Sequence, residues 1–292
     1  MSSTPQQQKQ RKQRLSNQHK PYLSITNFTL LKDLFKLKGW ECDPDRDISQ
    51  FSKFVKTLSL LDNKQQLYLI DMTKDFLWYD STKYRDMTID VLQKLRASVG
   101  DRHIFFAQCL PQADANKNKS SSHVLYGLED KYISYHVDMG SYKRLNHVSE
   151  ANEQMLLDDE AVLVLVDDFV GTGETAQKAL SELSMYYSHL RDFSNVKILS
   201  LVVQETGLEI LTSLKVDVFY AKKVGKAISD LPVSDDEKYE KICIMQSIER
   251  RIKGLEEKFK FGYGESEALV SMIRCPNNTF PIYWYIEGVS PY

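Results

Sequence analysis

Between residues 103 and 224, short apolar runs alternate with amphipathic segments, and this alternation restricts the fold more than any other feature of the sequence. Strands that alternate with helices predict a mostly parallel sheet covered by helices on both faces. Ligands of such a sheet bind at the carboxyl ends of its strands. The predicted strands cover residues 103–110, 161–166, 196–204 and 216–224, and the predicted helices cover residues 123–132, 174–187 and 207–214.

A helical region precedes this α/β core, and an extension follows it. The helical region repeats apolar side chains at helical spacing and ends at Gly100, the expected C-terminal cap. The predicted division is a basic, disordered tail and lead-in over residues 1–45, the helical region over 46–100, the core over 101–225, and a helix and strand extension over 226–292.

The extension begins with the clearest amphipathic helix of the sequence, which we predict over residues 234–260. Ser234 and Glu237 form a capping box at its start. A polar turn runs from Pro276 to Thr279, and an aromatic stretch after it is interpreted as a final strand. The turn either lines the acceptor side of a site or only precedes that strand.

Charge and composition narrow the class of protein. The formal net charge of −2 argues against a nucleic-acid-binding polycation. We find no apolar stretch long enough to span a membrane and no secretory signal, and the four cysteines are scattered without metal-ligand spacing, so we expect a cytoplasmic, reduced protein. Contact with nucleic acid through the tail is a weaker alternative, carried by Lys9, Arg11, Lys12, Arg14 and Lys20.

The apolar run at residues 161–166 continues into two carboxylates, Asp167 and Asp168, and then into a loop with two glycines and two threonines. This loop ends a strand and opens a helix, where unpaired backbone N–H groups and the helix dipole favour an anion. Two adjacent acids would repel a bare phosphate. A sugar 5-phosphate resolves the conflict, because its hydroxyl groups can bind the acids, with Mg²⁺ as an oxygen-seeking bridge.

The loop does not match two other phosphate-binding motifs. A Walker A loop needs Gly-Lys-Ser/Thr in phase, and a dinucleotide-binding fingerprint needs a different glycine spacing. A plain strand–turn–helix, capped by Asp168 or Thr172, is the simplest alternative.

The stretch VLVLVDDFVGTGET resembles the signature by which type I phosphoribosyltransferases bind phosphoribosyl pyrophosphate (PRPP). The resemblance implies a type I phosphoribosyltransferase-like α/β fold and transfer at the ribose anomeric carbon with Mg²⁺. It also implies that Asp167 and Asp168 hold the ribose hydroxyls, and the metal indirectly through the ligand. The 5-phosphate would then bind Gly171, Thr172, Gly173, Glu174 and Thr175.

A transferase also has to stabilise the leaving pyrophosphate. The loop after the first core strand ends in Lys119, Ser120 and Ser121, which are candidates for this role, or else a solvated lysine before a serine cap. The resemblance places a mobile catalytic loop before the signature strand, which makes Lys143 and Arg144 candidate catalytic residues with His147 nearby. The alternative is an ordinary basic surface turn.

A second stretch, GYGESEALVSMIRCPNNTFPIYW, is similar to the C-terminal block of phosphoribosyltransferase-like proteins from bacterial conflict systems. This resemblance implies a toxin effector of antiviral defence that acts beside an ATPase partner, in some systems with a retron reverse transcriptase and its RNA–DNA complex. Gly171 stands where purine-salvage members carry an acid, and Glu174 where a small residue or lysine is commoner. These departures favour the alternative of a non-catalytic nucleotide-sensing or assembly subunit that controls an ATPase or nuclease.

Overall fold

The computed structural model describes residues 22–43, 46, 48–114, 120–152, 156, 158–187, 192–287 and 289–292. The predicted basic tail over residues 1–20 and the pyrophosphate candidate Lys119 lie outside the described residues. The helices are α1 (Ile25–Lys38), α2 (Gln50–Leu58), α3 (Asn63–Thr73), α4 (Ser81–Val99), α5 (Ser121–Gly127), α6 (Lys131–His136), α7 (Glu174–Tyr186), α8 (Glu205–Ser213) and α9 (Asp235–Glu249). The strands are β1 (Leu77–Trp78), β2 (His103–Gln108), β3 (Tyr142–Arg144), β4 (Ala161–Val170), β5 (Val196–Gln204), β6 (Asp217–Val224) and β7 (Val270–Ser271).

The chain folds into two compact units, each assembled from separate stretches of sequence. The α/β unit comprises Leu77–Pro232 and Phe261–Phe280, and the helical unit comprises the described residues before Leu77, those of Val233–Lys260 and those of Pro281–Tyr292. The α/β unit therefore takes α4 from the region predicted over residues 46–100, and Phe261–Phe280 from the predicted extension. We call Phe261–Phe280 the C-terminal block.

A five-stranded parallel sheet in the order β3-β2-β4-β5-β6 forms the centre of the α/β unit. β1 and β7 pair with each other as a separate two-stranded sheet. β4 is buried along its whole length except at Asp167, which is half-buried. Consecutive branched apolar residues satisfy a strand that packs on both faces, so the predicted α/β fold with a parallel sheet is confirmed.

The strand order places a crevice at the carboxyl ends of β2 and β4. The chain leaves β2 for β3 on one side, and then returns to β4 on the other side of β2. Such a switch point is where ligands bind in open parallel sheets. The two aspartates and the loop that follows them lie at this end of β4.

The helical unit is held together by an aromatic core. Phe76 is buried and stacks on Tyr292, with ring centroids 5.0 Å apart. Phe35 meets Phe54 edge to face at 5.3 Å, and the Tyr283 hydroxyl lies 2.9 Å from the Thr73 hydroxyl in the buried interior. The aromatics of this unit therefore act as core.

The helix predicted over residues 123–132 is two short helices, α5 and α6, and three other parts of the chain also differ from the prediction. α1 lies in the predicted lead-in, where Ser24 caps its start and Gly39 ends it with φ 64°. The long helix predicted over residues 234–260 ends at Glu249, and Gly254 follows with φ 74°, which breaks a helix. The predicted final strand is a short 3₁₀ turn at Pro281–Tyr283.

Some expected features of the sequence recur in the structure. The capping box of Ser234 and Glu237 is present, and Gly100 ends α4. The four cysteines are free thiols. Among the residues that the structure describes, no helix combines the length and the apolar character that crossing a bilayer requires.

Candidate functional site

The loop after β4 leads directly into α7. β4 continues through both aspartates to Val170, and α7 begins at Glu174 after Gly173, whose backbone is left-handed with φ 78°. The N-cap of this helix is Gly173, which has no side chain, so the simplest alternative, in which Asp168 or Thr172 is the cap, is wrong. The first N–H groups of α7 are left for another acceptor, and an anion is favoured there.

A cavity of about 300 Å³ lies over this loop. It brings together Asp167, the loop residues and three residues of the C-terminal block, Tyr263, Asn277 and Asn278. The five loop residues predicted to bind a 5-phosphate all line it: Gly171, Thr172, Gly173, Glu174 and Thr175. The cavity therefore combines the anion-binding loop with one of the two acids.

The two adjacent aspartates face opposite sides of the sheet. Along β4, Leu163 and Leu165 pack on one face, and Val164 and Val166 on the other, as the alternation of a strand requires. Asp167 continues the first series and lines the cavity. Asp168 continues the second and is only 2% exposed. The prediction from the sequence gives the two acids the same role, whereas their surroundings in the structure differ.

Both oxygens of the Asp168 carboxylate accept hydrogen bonds from protein hydroxyls. Ser120 Oγ donates to Oδ1 at 2.6 Å, and the Tyr84 hydroxyl donates to Oδ2. Burial, and then the charge of Asp168, raise the pKa of the Tyr84 hydroxyl well above its ordinary value, so it stays a donor. Asp168 thus ties α4 and the start of α5 to the sheet.

Asn278 of the C-terminal block occupies the space beside Gly171. A Cβ atom at position 171 would lie 2.4 Å from Asn278 Cγ, which is closer than atoms approach. Asn278 is 8% exposed, and its Nδ2 donates to the Tyr263 carbonyl and to Ser266 Oγ, both at 3.2 Å. Glycine at 171 is required by this close approach.

Two further residues of the C-terminal block contact the loop. The Tyr263 hydroxyl donates to Glu174 Oε2 at 2.6 Å, while Lys178 Nζ pairs with Glu174 Oε1 at 2.5 Å. Gly264 has φ 67°, and a Cβ there would lie 2.7 Å from Thr172 Cγ2. The unusual acid of the loop therefore points to the C-terminal block and to α7, and leaves the N–H groups of the loop accessible.

We expect the pKa of Glu174 to report this contact. The hydrogen bonds from Lys178 and Tyr263 lower that pKa below its ordinary value of 4.5, so the stabilisation is present above pH 4.5 and is lost as the pH falls through the lowered pKa. Tyr263→Phe should raise it toward 4.5, measured by NMR titration of the carboxyl carbon. Tyr239→Phe, an exposed site on α9, should leave it unchanged. A Tyr263→Phe value equal to the wild-type value would contradict the contact.

The other predicted site residues are placed as follows. Ser120 contacts Asp168, and Ser121 is buried with its Oγ 3.3 Å from Gln108 Oε1. Lys143 and Arg144 lie within the segment predicted as a mobile loop and are exposed on the edge strand β3, where Arg144 pairs with Glu129 at 2.8 Å. They do not line the cavity over the loop.

The imidazole of His147 is buried and hydrogen-bonded to the backbone on both sides. It is 8% exposed, and its Nε2 lies 3.1 Å from the carbonyl oxygen of Leu110, while Nδ1 accepts the N–H of Ser149. Both ring nitrogens are therefore engaged within the protein.

The charges around the cavity favour a cationic bridge. Among the described lining residues, Asp114, Asp167 and Glu174 carry carboxylates, and Lys178 carries an ammonium group. This surplus of negative charge disfavours a bare phosphate, and the oxygen atoms of Asp167 are the donor type that Mg²⁺ prefers. In the part of the chain that the structure describes, no cluster of three or more His, Cys, Asp or Glu forms a metal site from protein ligands alone. The residues fit a metal that arrives with its ligand.

Sequence reasoning missed Tyr84, Tyr263 and Gly264 and gave no role to Asn278. The signal for the last three was present, because they belong to the stretch that resembles the conflict-system block. Tyr84 lies in an amphipathic helix in which core packing is the default, and the pattern alone offers no sign of its partner.

The comparison with protein families agrees with the motif. Residues 46–291 match the family model PRTase-CE. No curated protein matches the chain. Similar solved structures include a Schistosoma mansoni hypoxanthine-guanine phosphoribosyltransferase in complex with IMP, at 18% identity over 52% of this chain and 69% of that one, TM-score 0.32. A Pyrococcus horikoshii purine phosphoribosyltransferase matches at 16% over 55% and 97%, TM-score 0.29. Because the family model covers most of the chain, the protein belongs to the PRTase-CE family.

Proposed function

We propose that the α/β unit binds PRPP, or a related ribose 5-phosphate ligand, together with Mg²⁺. The observation that carries this proposal is the shared cavity: Asp167 and the five loop residues line one space at the switch point of the sheet. The loop supplies N–H donors and the Thr172 and Thr175 hydroxyls for the 5-phosphate. Asp167 supplies a carboxylate for the ribose hydroxyls.

The metal would be held by the ligand and by Asp167. Mg²⁺ is bound in many phosphate sites through one or two carboxylates plus substrate oxygens, and it would neutralise charge on a leaving pyrophosphate. Both carboxylate oxygens of Asp168 already accept hydroxyl donors. We therefore assign the direct ribose and metal contact to Asp167, and a positioning role to Asp168.

As an enzyme, the chain would be a phosphoribosyltransferase that acts at the ribose anomeric carbon. Ser120 donates to Asp168 and Ser121 follows it at the start of α5, which supports the proposal of a pyrophosphate side there. Lys119 stays a candidate from the sequence alone. Lys143 and Arg144 are candidates for the same side, and Arg144 would have to leave its ion pair with Glu129 to take part.

The cellular role that we propose is that of an effector in cytoplasmic antiviral defence of a bacterium. Its support is the resemblance of the C-terminal block to proteins of conflict systems, and the contacts of that block with the loop. An ATPase partner, a retron reverse transcriptase with its RNA–DNA complex, and nucleic acid at the basic tail are the proposed partners.

A non-catalytic sensor or assembly subunit is the second candidate. Asn278 fills the space where purine-salvage relatives carry their acid, and Lys143 and Arg144 lie on the edge strand β3 and do not line the cavity. Such a protein would bind the ribose phosphate and change its contacts with a partner ATPase or nuclease without turnover.

Pyrophosphate release separates the two candidates. The purified chain with PRPP and Mg²⁺ should release pyrophosphate if it is a PRPP hydrolase, with water taking the ribosyl group, and a transferase should release it once a nucleophilic acceptor such as a nucleobase is added. The Thr172→Val/Thr175→Val variant should lose the activity, because the loop hydroxyls are removed while their size is kept. Calorimetric binding of PRPP without release, alone and with the partner, would support the sensor. No binding at all would contradict both.

A further inference from the structure

A second cavity of the α/β unit, of about 280 Å³, is lined by none of the described residues that line the first. Tyr84, whose hydroxyl donates to Asp168, forms part of its wall, and Ile273 of the C-terminal block forms another part. The polar side chains that line it include Ser81, Thr82, Arg85, His123 and Asp130.

Arg85 is the unusual member of this lining. Its guanidinium carbon lies 4.2 Å from the centre of the Tyr132 ring, so one face of the cation is held by an aromatic ring. Its Nε is buried and has no hydrogen-bond partner among the described residues. A guanidinium carries its N–H donors in its plane, and stacking on a ring uses none of them. Tyr132 therefore fixes the plane of the guanidinium donors, and within the part of the chain that the structure describes Nε has no acceptor.

The other polar groups of the lining complement a negatively charged ligand. Ser81 and Thr82 bring hydroxyl donors from the first turn of α4, and His123 brings an imidazole from α5. Asp130 is the acidic residue among the described lining residues, and its Oδ1 accepts the backbone N–H of Tyr132 at 2.9 Å. This hydrogen bond at the start of α6 occupies one oxygen of the acid.

We propose that this cavity binds a phosphate group, through the N–H edge of Arg85 and with His123 and the hydroxyls of Ser81 and Thr82. An oriented arginine edge matches two oxygens of a phosphate, which a lysine cannot do. The volume suits inorganic phosphate, pyrophosphate or the phosphate end of a small phosphoester. The site is separate from the proposed PRPP pocket, so this proposal does not depend on PRPP binding in that pocket.

Calorimetric titration of the full-length chain with inorganic phosphate and with pyrophosphate tests the site. The Arg85 variants are made in a Thr172→Val/Thr175→Val protein, because these two changes weaken phosphate binding at the loop and leave the second cavity intact. In that background Arg85→Gln should weaken binding by about tenfold or more, as the loss of charged hydrogen bonds implies. Arg85→Lys should give an intermediate loss, because it keeps the charge without the fork.

Lys94→Gln is the matched control, because Lys94 is a cation of the same helix that pairs with Asp90 at 2.7 Å. It should leave phosphate binding unchanged. In the wild-type protein, phosphate should also shift the ¹⁵N resonance of Arg85 Nε, which needs no variant to fold. Wild-type affinity in Arg85→Gln, an equal loss in Lys94→Gln, or an unshifted Arg85 resonance at saturating phosphate would overturn the proposal.

Discussion

Gly171→Ala is expected to destabilise the α/β unit by about 2–4 kcal/mol, because it overpacks the site and breaks the hydrogen bonds of Asn278. The new methyl group cannot coexist with Asn278 Cγ, which would lie 2.4 Å away. Asn278 is buried and held by two hydrogen bonds, so it cannot swing aside without losing them. We also expect PRPP binding to fall, since the loop and the C-terminal block would separate.

Urea unfolding followed by circular dichroism measures the loss of stability, and a second-site change tests its cause. The cost of Gly171→Ala in free energy of unfolding should be smaller in an Asn278→Gly background than in wild type. The reason is that Asn278→Gly removes the amide with which the new methyl group clashes. Gly127→Ala at the end of α5 is the control: its Cβ would meet Ile133 at an ordinary 3.9 Å. Equal stability of Gly171→Ala and wild type would show that Asn278 does not occupy this space.

Tyr84→Phe is expected to cost about 2 kcal/mol, the range for a hydrogen bond to a charged group. It removes the hydroxyl that donates to Asp168, and leaves a carboxylate that is 2% exposed with one donor fewer. The shape of the side chain is unchanged, so packing contributes little to the difference.

The partner of this hydroxyl is identified by a double-mutant cycle. In an Asp168→Asn background, Tyr84→Phe should cost much less, because the charged acceptor is already gone. Tyr142→Phe is the control, since its hydroxyl makes only a long 3.4 Å contact with the carbonyl of Leu128. Equal costs of Tyr84→Phe in both backgrounds would contradict a direct bond between Tyr84 and Asp168.

The sheet and its loop could be read from the sequence because their signals are local. A run of branched apolar residues ending in Asp167, followed by glycines and threonines, predicts a buried strand and an anion-binding turn without knowledge of any distant residue. β5 matches its predicted range of 196–204, and β4 extends the predicted run to Val170. The family match agrees with the motif that this stretch carries.

What the sequence could not predict depends on contacts between distant residues. Nothing local shows that Asp168 faces Tyr84 while Asp167 faces the cavity, because both follow the same apolar run. The end of α9 at Glu249 was missed because apolar spacing continues beyond it. α1 was missed although Ser24 and Gly39 cap it, since the basic tail before it dominates the composition.

The C-terminal block explains both departures from the phosphoribosyltransferase signature. Asn278 takes the space of the missing side chain at Gly171, and Tyr263 binds the unusual acid Glu174. Each unusual residue of the loop thus contacts a specific residue of the C-terminal block. A partner or ligand that moves the block would therefore alter the loop, which gives both the enzyme and the sensor hypotheses a physical basis.

Calorimetric titration of PRPP in the presence of Mg²⁺, on wild type and Asp167→Asn, tests the central claim most directly. Loss of a charged acceptor for the ribose hydroxyls should weaken binding by about tenfold or more. Asp159→Asn, an exposed acid in the turn before β4, should bind as wild type does. Equal affinity of wild type and Asp167→Asn would contradict the assignment of the ribose site to Asp167 and the loop.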